Sequence, residues 1–443
     1  MAALKKKYDY IIVGSGPGGA TLAKELSHKT RHILIVEYGP RFTKIGLRAT
    51  IPIYLNKEKK TLRSKGGIWI QRSRILGGSS YIAMGNAVMP SKKIIKEWGI
   101  NLSEELASAQ DDLNVSPIPT RLVGKGTKRI NEGAKSLGWE MKPTPKCVDF
   151  SKCIGCGQCM FGCPTNAKWT ALDFVDEAIK NGVELLLNTE VKHVLHKDKK
   201  VIGISAIKEG EKLEIYGKNV ILSAGALETP RILQNSGITE AGKGLSLDIF
   251  QTTYGYTKDV GMQNEPILAT YLEKLIVDRE LFAAPYMYVP ALLVRDIEGY
   301  SPIKISTLNQ IKIALKARKI NEKRLIGIMT KIRDETTGEV RNDGTIIKAL
   351  TTRDKKKLDE AHEINKKILI AAGADPKTIF RGVYESGHPC CTAPIGKIVD
   401  KNQETEIKGL FVSDASIFPS PLGIPPILTI VALSKKLAKT IDN

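Results

Sequence analysis

The chemistry in this chain is concentrated at residues 153–164. Four thiols, Cys153, Cys156, Cys159 and Cys163, are separated by two, two and three residues, and Pro164 follows the last. Iron in clusters is held by thiolate, so a short loop that gathers several thiols around one centre is what iron–sulfur chemistry requires. Cys147 is a spare thiol close by, and with only one such run the fourth ligand is open between Cys163 and Cys147. Cys390 and Cys391 are adjacent and far from the run. They read as a redox dithiol, a remote ligand, or two small buried side chains, the last fitting free cysteine best. Beside them His388 stands between Gly387 and Pro389. A histidine placed on a loop rather than packed on a helix face suits proton transfer.

Elements that position such groups can be read in chain order. Tyr8–Val13 is an apolar, β-branched run suited to a buried parallel strand. It leads into Gly14-Ser15-Gly16-Pro17-Gly18-Gly19, and Ala20–Leu26 reads as a helix. Gly14, Gly16 and Gly19 fit the G-x-G-x-x-G fingerprint in the strand–turn–helix setting that a bound dinucleotide needs. The helix N-terminus then faces a pyrophosphate. A second strand, His32–Val36, ends at Glu37, where an acidic residue binds a ribose hydroxyl. Gly77-Gly78-Ser79-Ser80 is either an ordinary glycine turn or a second close approach to a ligand, with hydroxyl donors. Residues 91–140 look mostly helical, with a loop at 116–119, and the Asp111–Asp112 pair reads as solvated. Thr170–Asn181 reads as a helix, Val183–Leu187 and Val191–His196 as strands, and 201–222 as a hairpin. His193 and His196 read as packing or surface residues. At Ser223-Ala224-Gly225-Ala226 a strand enters a small-residue turn, and a helix follows with Pro230 in its first turn. From 240 to 380 strand-like segments (Pro285–Val294, Leu325–Ile332) alternate with lysine-rich helices (Ile311–Lys319, Lys355–Ala372). The chain closes on Asp414-Ala415-Ser416 and the helix Ile427–Ile441.

Composition limits the alternatives. With 443 residues there is room for two lobes. Cysteines bunched in a metal-like pattern argue against a secreted disulfide scaffold and for a reducing, cytoplasmic interior. The basic start at Met1–Lys7 lacks the apolar run and cleavage site of a signal peptide, and no stretch suggests a membrane span. Lys and Arg number 67 against 47 Asp and Glu, a formal +20. That charge reads as a solvated lysine-rich surface or as a dock for an acidic partner or anionic membrane surface. It is scattered and carries no nucleic-acid motif, so nucleic acid is not expected.

Together these blocks resemble the glucose–methanol–choline (GMC) family of FAD-dependent oxidoreductases. The likeness covers most of the chain and rests on four motifs in the family's order: the glycine fingerprint, Gly77–Ser80, Gly225–Ile238, and His388 with Asp414-Ala415-Ser416. The resemblance implies an α/β (α+β) fold, a Rossmann-like FAD-binding domain with a second, sheet-containing substrate domain. The expected division is 1–90, 145–240 and 385–443 for FAD, with a Cys-rich insert at 147–164, a helical segment at 91–144, and a substrate or cap domain at 241–384. It also implies that Gly14, Gly16, Gly19 and Glu37 hold the ADP half and that Gly77, Gly78, Ser79 and Ser80 lie along the pyrophosphate and flavin. Asn86, Ala224, Gly225, Asp414, Ala415 and Pro426 complete the cofactor set. His388 would take the substrate hydroxyl proton while hydride leaves for the flavin.

Three departures from the family pattern stand out. Pro425 occupies the place of the usual second histidine or asparagine and offers no side-chain hydrogen bond. Cys391 replaces the glycine usual after His-Pro-x, and Ala83 replaces an asparagine. The Cys159–Cys163 pair before Ala167-Lys168 also occurs in the family, where long-chain alcohol oxidases resemble the run further. Cys153, Cys156 and Cys147 therefore carry the case for iron. The expected activity is oxidation of a CH–OH donor, alcohol or lipid-like, with electrons leaving through a [4Fe-4S] cluster to a carrier such as ferredoxin or a partner subunit. The rival readings are a reductase of a carbonyl or unsaturated lipid, and a non-catalytic electron-transfer subunit.

Overall fold

A computed structural model describes residues 7–30, 32–42, 63–287, 315–316 and 320–441. Two sheets organise it. The first is built on Tyr8–Val13, an all but wholly buried strand that pairs in parallel with Ile33–Val36 on one side and with the second half of Glu211–Leu222 on the other. Glu184–Leu186 and Leu410–Val412 add parallel strands. The first half of Glu211–Leu222 instead pairs antiparallel with Lys200–Lys208, which pairs with Thr189–Lys197. One long strand thus serves a parallel nucleotide-type sheet and an antiparallel meander, and it includes the hairpin read from the alternation. A β-branched core buried on both faces explains the parallel half.

The second sheet carries the antiparallel pair Phe250–Tyr256 and Leu325–Ile332, both almost fully buried, flanked by Leu281–Pro285. Glu385–Ser386 joins its edge and brings Trp69–Ile70 in parallel. Helix Thr352–Ala371, opened by a capping box between Thr351 and Asp354, covers this sheet and packs on helix Lys125–Ser136. The close approach uses Gly133, where a Cβ would meet Ile368 O and Ala372 N at 2.7 Å. Of the expected strand Pro285–Val294, Pro285 ends the strand Leu281–Pro285, Tyr286 and Met287 are not strand, and the rest lies outside the described residues, as does the expected helix Ile311–Lys319 except at 315–316.

Two expectations are corrected. Part of the expected loop at 116–119 is strand: Ser116 and Pro117 belong to Val115–Pro117, which pairs antiparallel with Pro145–Cys147, just before the cysteine run. Asp112 is not merely solvated. It accepts ion pairs at 2.8 Å from Lys24 and Lys435, tying the fingerprint helix Pro17–Ser27, helix Ser103–Asp112 and the last helix Ile427–Thr440 together. Among the described residues no helix is long and apolar enough to cross a membrane.

Candidate active site

A cleft with a cavity of about 330 Å³ runs from the fingerprint loop to His388. Gly14, Gly16, Glu37, Gly78, Ser79, Ser80, Asn86, Ala224, Gly225, Asp414, Ala415, Pro426 and His388 all stand on its wall. At the entrance, Gly14 has φ 97° and a Cβ there would lie 2.4 Å from Ser223 O, so the turn tolerates only glycine. A Cβ on Gly16 would meet nothing within 4 Å. The backbone there is left bare toward the cleft, at the N-cap of a helix that no side chain caps. Glu37 is buried and takes Ser15 N at 3.0 Å, Ser15 Oγ at 2.6 Å and Gly39 N at 2.7 Å. Burial raises its carboxyl above the ordinary range, opposed by those hydrogen bonds. Ser223 Oγ is buried in the wall without a protein partner. A bare glycine loop, an acidic group one strand away and an unpartnered hydroxyl fit the ADP and pyrophosphate parts of a dinucleotide.

Some expected residues act differently. Gly19 and Gly77 do not reach the wall. Gly19 lets the helix sit against the loop, a Cβ there meeting Gly14 O at 2.0 Å. Gly77, at φ 87°, donates its N–H to Ser15 Oγ at 2.9 Å and so holds the two glycine loops together. The Ser80 hydroxyl is turned inward, donating to Gly77 O at 2.6 Å and accepting from Ala171 N at 2.9 Å. Asp414 accepts from Gly225 N, Thr229 Oγ1 and Ser416 N, joining the Ala-Gly-Ala turn to the C-terminal turn.

At the far end the wall is apolar, with Phe250, Leu268, Phe282, Met329 and Pro425 around His388. Two residues that sequence reading missed lie here. Lys331 Nζ is 2.5 Å from His388 Nδ1, and Asp248 Oδ2 is 3.8 Å from the same nitrogen. Burial, then the Lys331 charge, holds His388 well below the ordinary histidine range. It is therefore neutral at pH 7, not poised near it. A third missed group is Glu228, on the same wall with Arg72 and Arg74 and also paired with Arg231 behind it. Apart from the Glu228–Arg231 pair, three residues apart at a helix start, no sequence spacing signals these meetings.

Cys153, Cys156, Cys159 and Cys163 surround a second, much smaller cavity of about 20 Å³. Gly155, Gly157 and Gly162, all at positive φ, turn the loop around it. Lys146 and Lys168 form its floor. Lys168 Nζ donates to Ser80 O, Tyr81 O, Ala83 O and Cys159 O at 2.7–3.2 Å, and Lys146 Nζ bonds Asn86 Oδ1 at 2.5 Å. Burial brings both amines down to about 8, with the neighbouring thiols acting the other way. These lysines span the layer between the thiol loop and the cleft wall. Cys147 is buried and does not line the small cavity, so it is not placed as the alternative fourth ligand. Cys390 and Cys391 are buried beside His388, as expected of small core side chains. Among the described residues no three His, Cys, Asp or Glu side chains are arranged to hold a metal ion. The donor set is that of an iron–sulfur site, but a space of 20 Å³ admits about one water.

The N-terminal GMC oxidoreductase family pattern matches residues 8–250 and the C-terminal one residues 326–434. An uncharacterised protein of Methanocaldococcus jannaschii is 30% identical over 98% of this chain and 100% of its own length. A long-chain-alcohol oxidase of Arabidopsis thaliana is 23% identical over 100% of this chain and 69% of its own. The crystal structure of pyridoxine 4-oxidase from Mesorbium loti aligns with a TM-score of 0.73 at 18% identity, covering 98% of this chain and 99% of that one. That last likeness concerns the fold.

Proposed function

The chain belongs to the GMC oxidoreductase family, and from that premise we propose that it binds FAD along the cleft and oxidises a CH–OH donor at His388. The observation that carries this reading is a single cleft with the bare fingerprint loop and Glu37 at one end and His388 at the other. Gly14, Gly16 and Glu37 would hold the ADP half, and Gly78, Ala224, Gly225 and Ala415 the part nearer His388. The flavin, when bound, supplies the hydride acceptor. The chain's own residues orient the donor and take its proton, and Phe250, Leu268, Phe282 and Met329 keep water out. We also propose that 241–384 is the substrate lobe, because these four come from it. The apolar wall favours an alcohol with a hydrophobic body, in keeping with the alcohol oxidase among the relatives.

The test is anaerobic reduction of the flavin-loaded protein by a panel of primary alcohols. Bleaching of the flavin band by at least one, lost in His388→Ala, is expected. No bleaching by any refutes the reading.

A specific observation favours a second reading. Four thiols share one cavity beside two buried amines. If the loop opened to admit it, these thiols would hold an anionic cluster, which would supply single-electron transfer to an acidic carrier such as ferredoxin. Iron assay of anaerobically purified and reconstituted protein should give about four per chain. Absence of iron, in keeping with the narrow cavity, leaves the thiol loop a structural feature and the flavin reading intact.

A further inference from the structure

We infer that Lys331 is a second catalytic side chain at this centre, and that the substrate's hydroxyl proton comes to rest on the Lys331–Asp248 pair rather than on His388. The inference rests on the alcohol-oxidising reading above.

The geometry is built, not incidental. Lys331 is in the strand Leu325–Ile332 and is 3% exposed, with its amine against His388 on the cleft wall. Asp248 lies two residues before the paired strand Phe250–Tyr256 and holds a left-handed backbone, φ 49°. Its carboxylate accepts Gly423 N at 3.0 Å. The segments carrying Asp248 and His388 are locked in register, since Ser246 and Cys390 exchange backbone hydrogen bonds. Ser386 Oγ donates to Leu247 O and accepts His388 N. Asp334, paired with the buried Lys348 at 2.7 Å, holds Ser246 Oγ and Leu247 N. This framework fixes two ionisable groups, Lys331 and Asp248, beside one imidazole nitrogen, where Pro425 has removed the family's second polar side chain.

The proton's destination follows from charge. An imidazolium would face an ammonium at 2.5 Å in a buried site, which disfavours it. Burial brings Lys331 down to about 8, the Asp248 charge opposing, and brings Asp248 up to about 7, with Lys331, Gly423 N–H and Arg333 opposing. The other charged or titratable groups facing the pair are Cys390, backed by Cys391 and Asp334, and Arg333. Cys390 is pushed well up and stays a thiol, and Arg333 is ion-paired with Glu280 at 2.8 Å. In the step, the donor's C–H bond breaks and hydride takes its electron pair to the flavin. The O–H bond breaks, its proton passing through His388 to the free-base amine, and the carbonyl forms. Above about pH 8 the Lys331 amine is free base and can accept this proton. Below that it already carries one, and below about 7 the Asp248 carboxyl is protonated as well. Flavin reduction should therefore speed up as pH rises through 7–8, whereas His388 acting alone would place that rise well below 6.5.

The experiment uses the FAD-loaded full chain with 1-octanol and benzyl alcohol as probes, in stopped flow under nitrogen. Lys331→Met should retain flavin and lose about 100-fold or more in reduction rate, together with the limb at pH 7–8. Lys331→Arg, cationic at every accessible pH, should not recover the rate. Nitrogen-15 spectra of histidine-labelled holoenzyme give a readout without turnover. His388 should stay neutral at pH 6 and show an inflection at pH 7–8 that vanishes in Lys331→Met, where its own titration moves up toward 6.5. A Lys331→Met enzyme within threefold of wild type with the limb intact overturns the proposal, as does a wild-type His388 that titrates near 6.5 with no inflection at 7–8. If neither alcohol reduces wild-type flavin, the alcohol reading falls, and the spectra alone decide the shared proton.

Discussion

Replacing Glu228 by Gln removes one negative charge from among three arginines and keeps the shape. Arg72 Nη1 and Arg74 Nη2 each lie 2.7 Å from Oε1, and Arg231 bonds Oε2. Burial alone would raise this carboxyl, but the charges of Arg72, Arg74 and Arg231 outweigh it and bring it to about 2, against 4.5 unperturbed. A carboxyl lowered in this way stabilises the fold fully above its unfolded value, and the contribution fades as pH falls through the folded one. The gap amounts to about 3 kcal/mol at pH 7. The side chain is 24% exposed, so water screens part of it, leaving about 2–3 kcal/mol. At about 2.1 cal/mol/K per residue, unfolding a chain of this length carries roughly 0.9 kcal/mol/K, so Glu228→Gln should lower Tm by about 2–3 °C at pH 7. At pH 3 the unfolded glutamate is mostly protonated, and the difference should fall to about half. Scanning calorimetry of both proteins across this range measures it. A Tm unchanged within 0.5 °C at pH 7, or a gap that widens toward acid, refutes the reasoning.

Other outcomes follow from single residues. Gly16→Val places its side chain in open cleft, so the apoprotein should keep its Tm within about 1 °C while FAD affinity, read by flavin fluorescence, drops at least about tenfold. Gly14→Ala should instead cost the fold about 1–3 kcal/mol, because a Cβ meets Ser223 O in a left-handed turn. Cys391, at φ 68°, occupies the backbone region that explains the family's glycine. Cys391→Gly should therefore be about 1–2 kcal/mol less harmful in urea unfolding than Cys390→Gly, where no such strain is relieved. Lys168→Met should cost about 2–4 kcal/mol, since four carbonyls lose their donor.

The glycine fingerprint, Glu37, the small-residue turn and His388 were legible in the sequence because their requirements are local. A left-handed turn, a bare helix N-terminus and an acidic group one strand later are dictated by neighbours in the chain, and the hydrogen bonds Ser15–Glu37 close within that unit. The thiol spacing was legible for the same reason, although whether four sulfurs surround room for iron depends on how tightly Lys146, Lys168 and Pro266 pack beneath them. The packing roles of Gly19, Gly77 and the Ser80 hydroxyl, by contrast, depend on contacts that no motif spacing shows. Lys331 could not be singled out among 67 basic residues, nor Asp248 and Glu228 among 47 acidic ones. Their partners come from distant segments: His388 is 57 residues from Lys331, and Arg72 is 156 from Glu228. A residue's type sets which proton it can carry. Desolvation and neighbouring charge set the pH at which it does so, and both arise only when the two sheets close around the cleft.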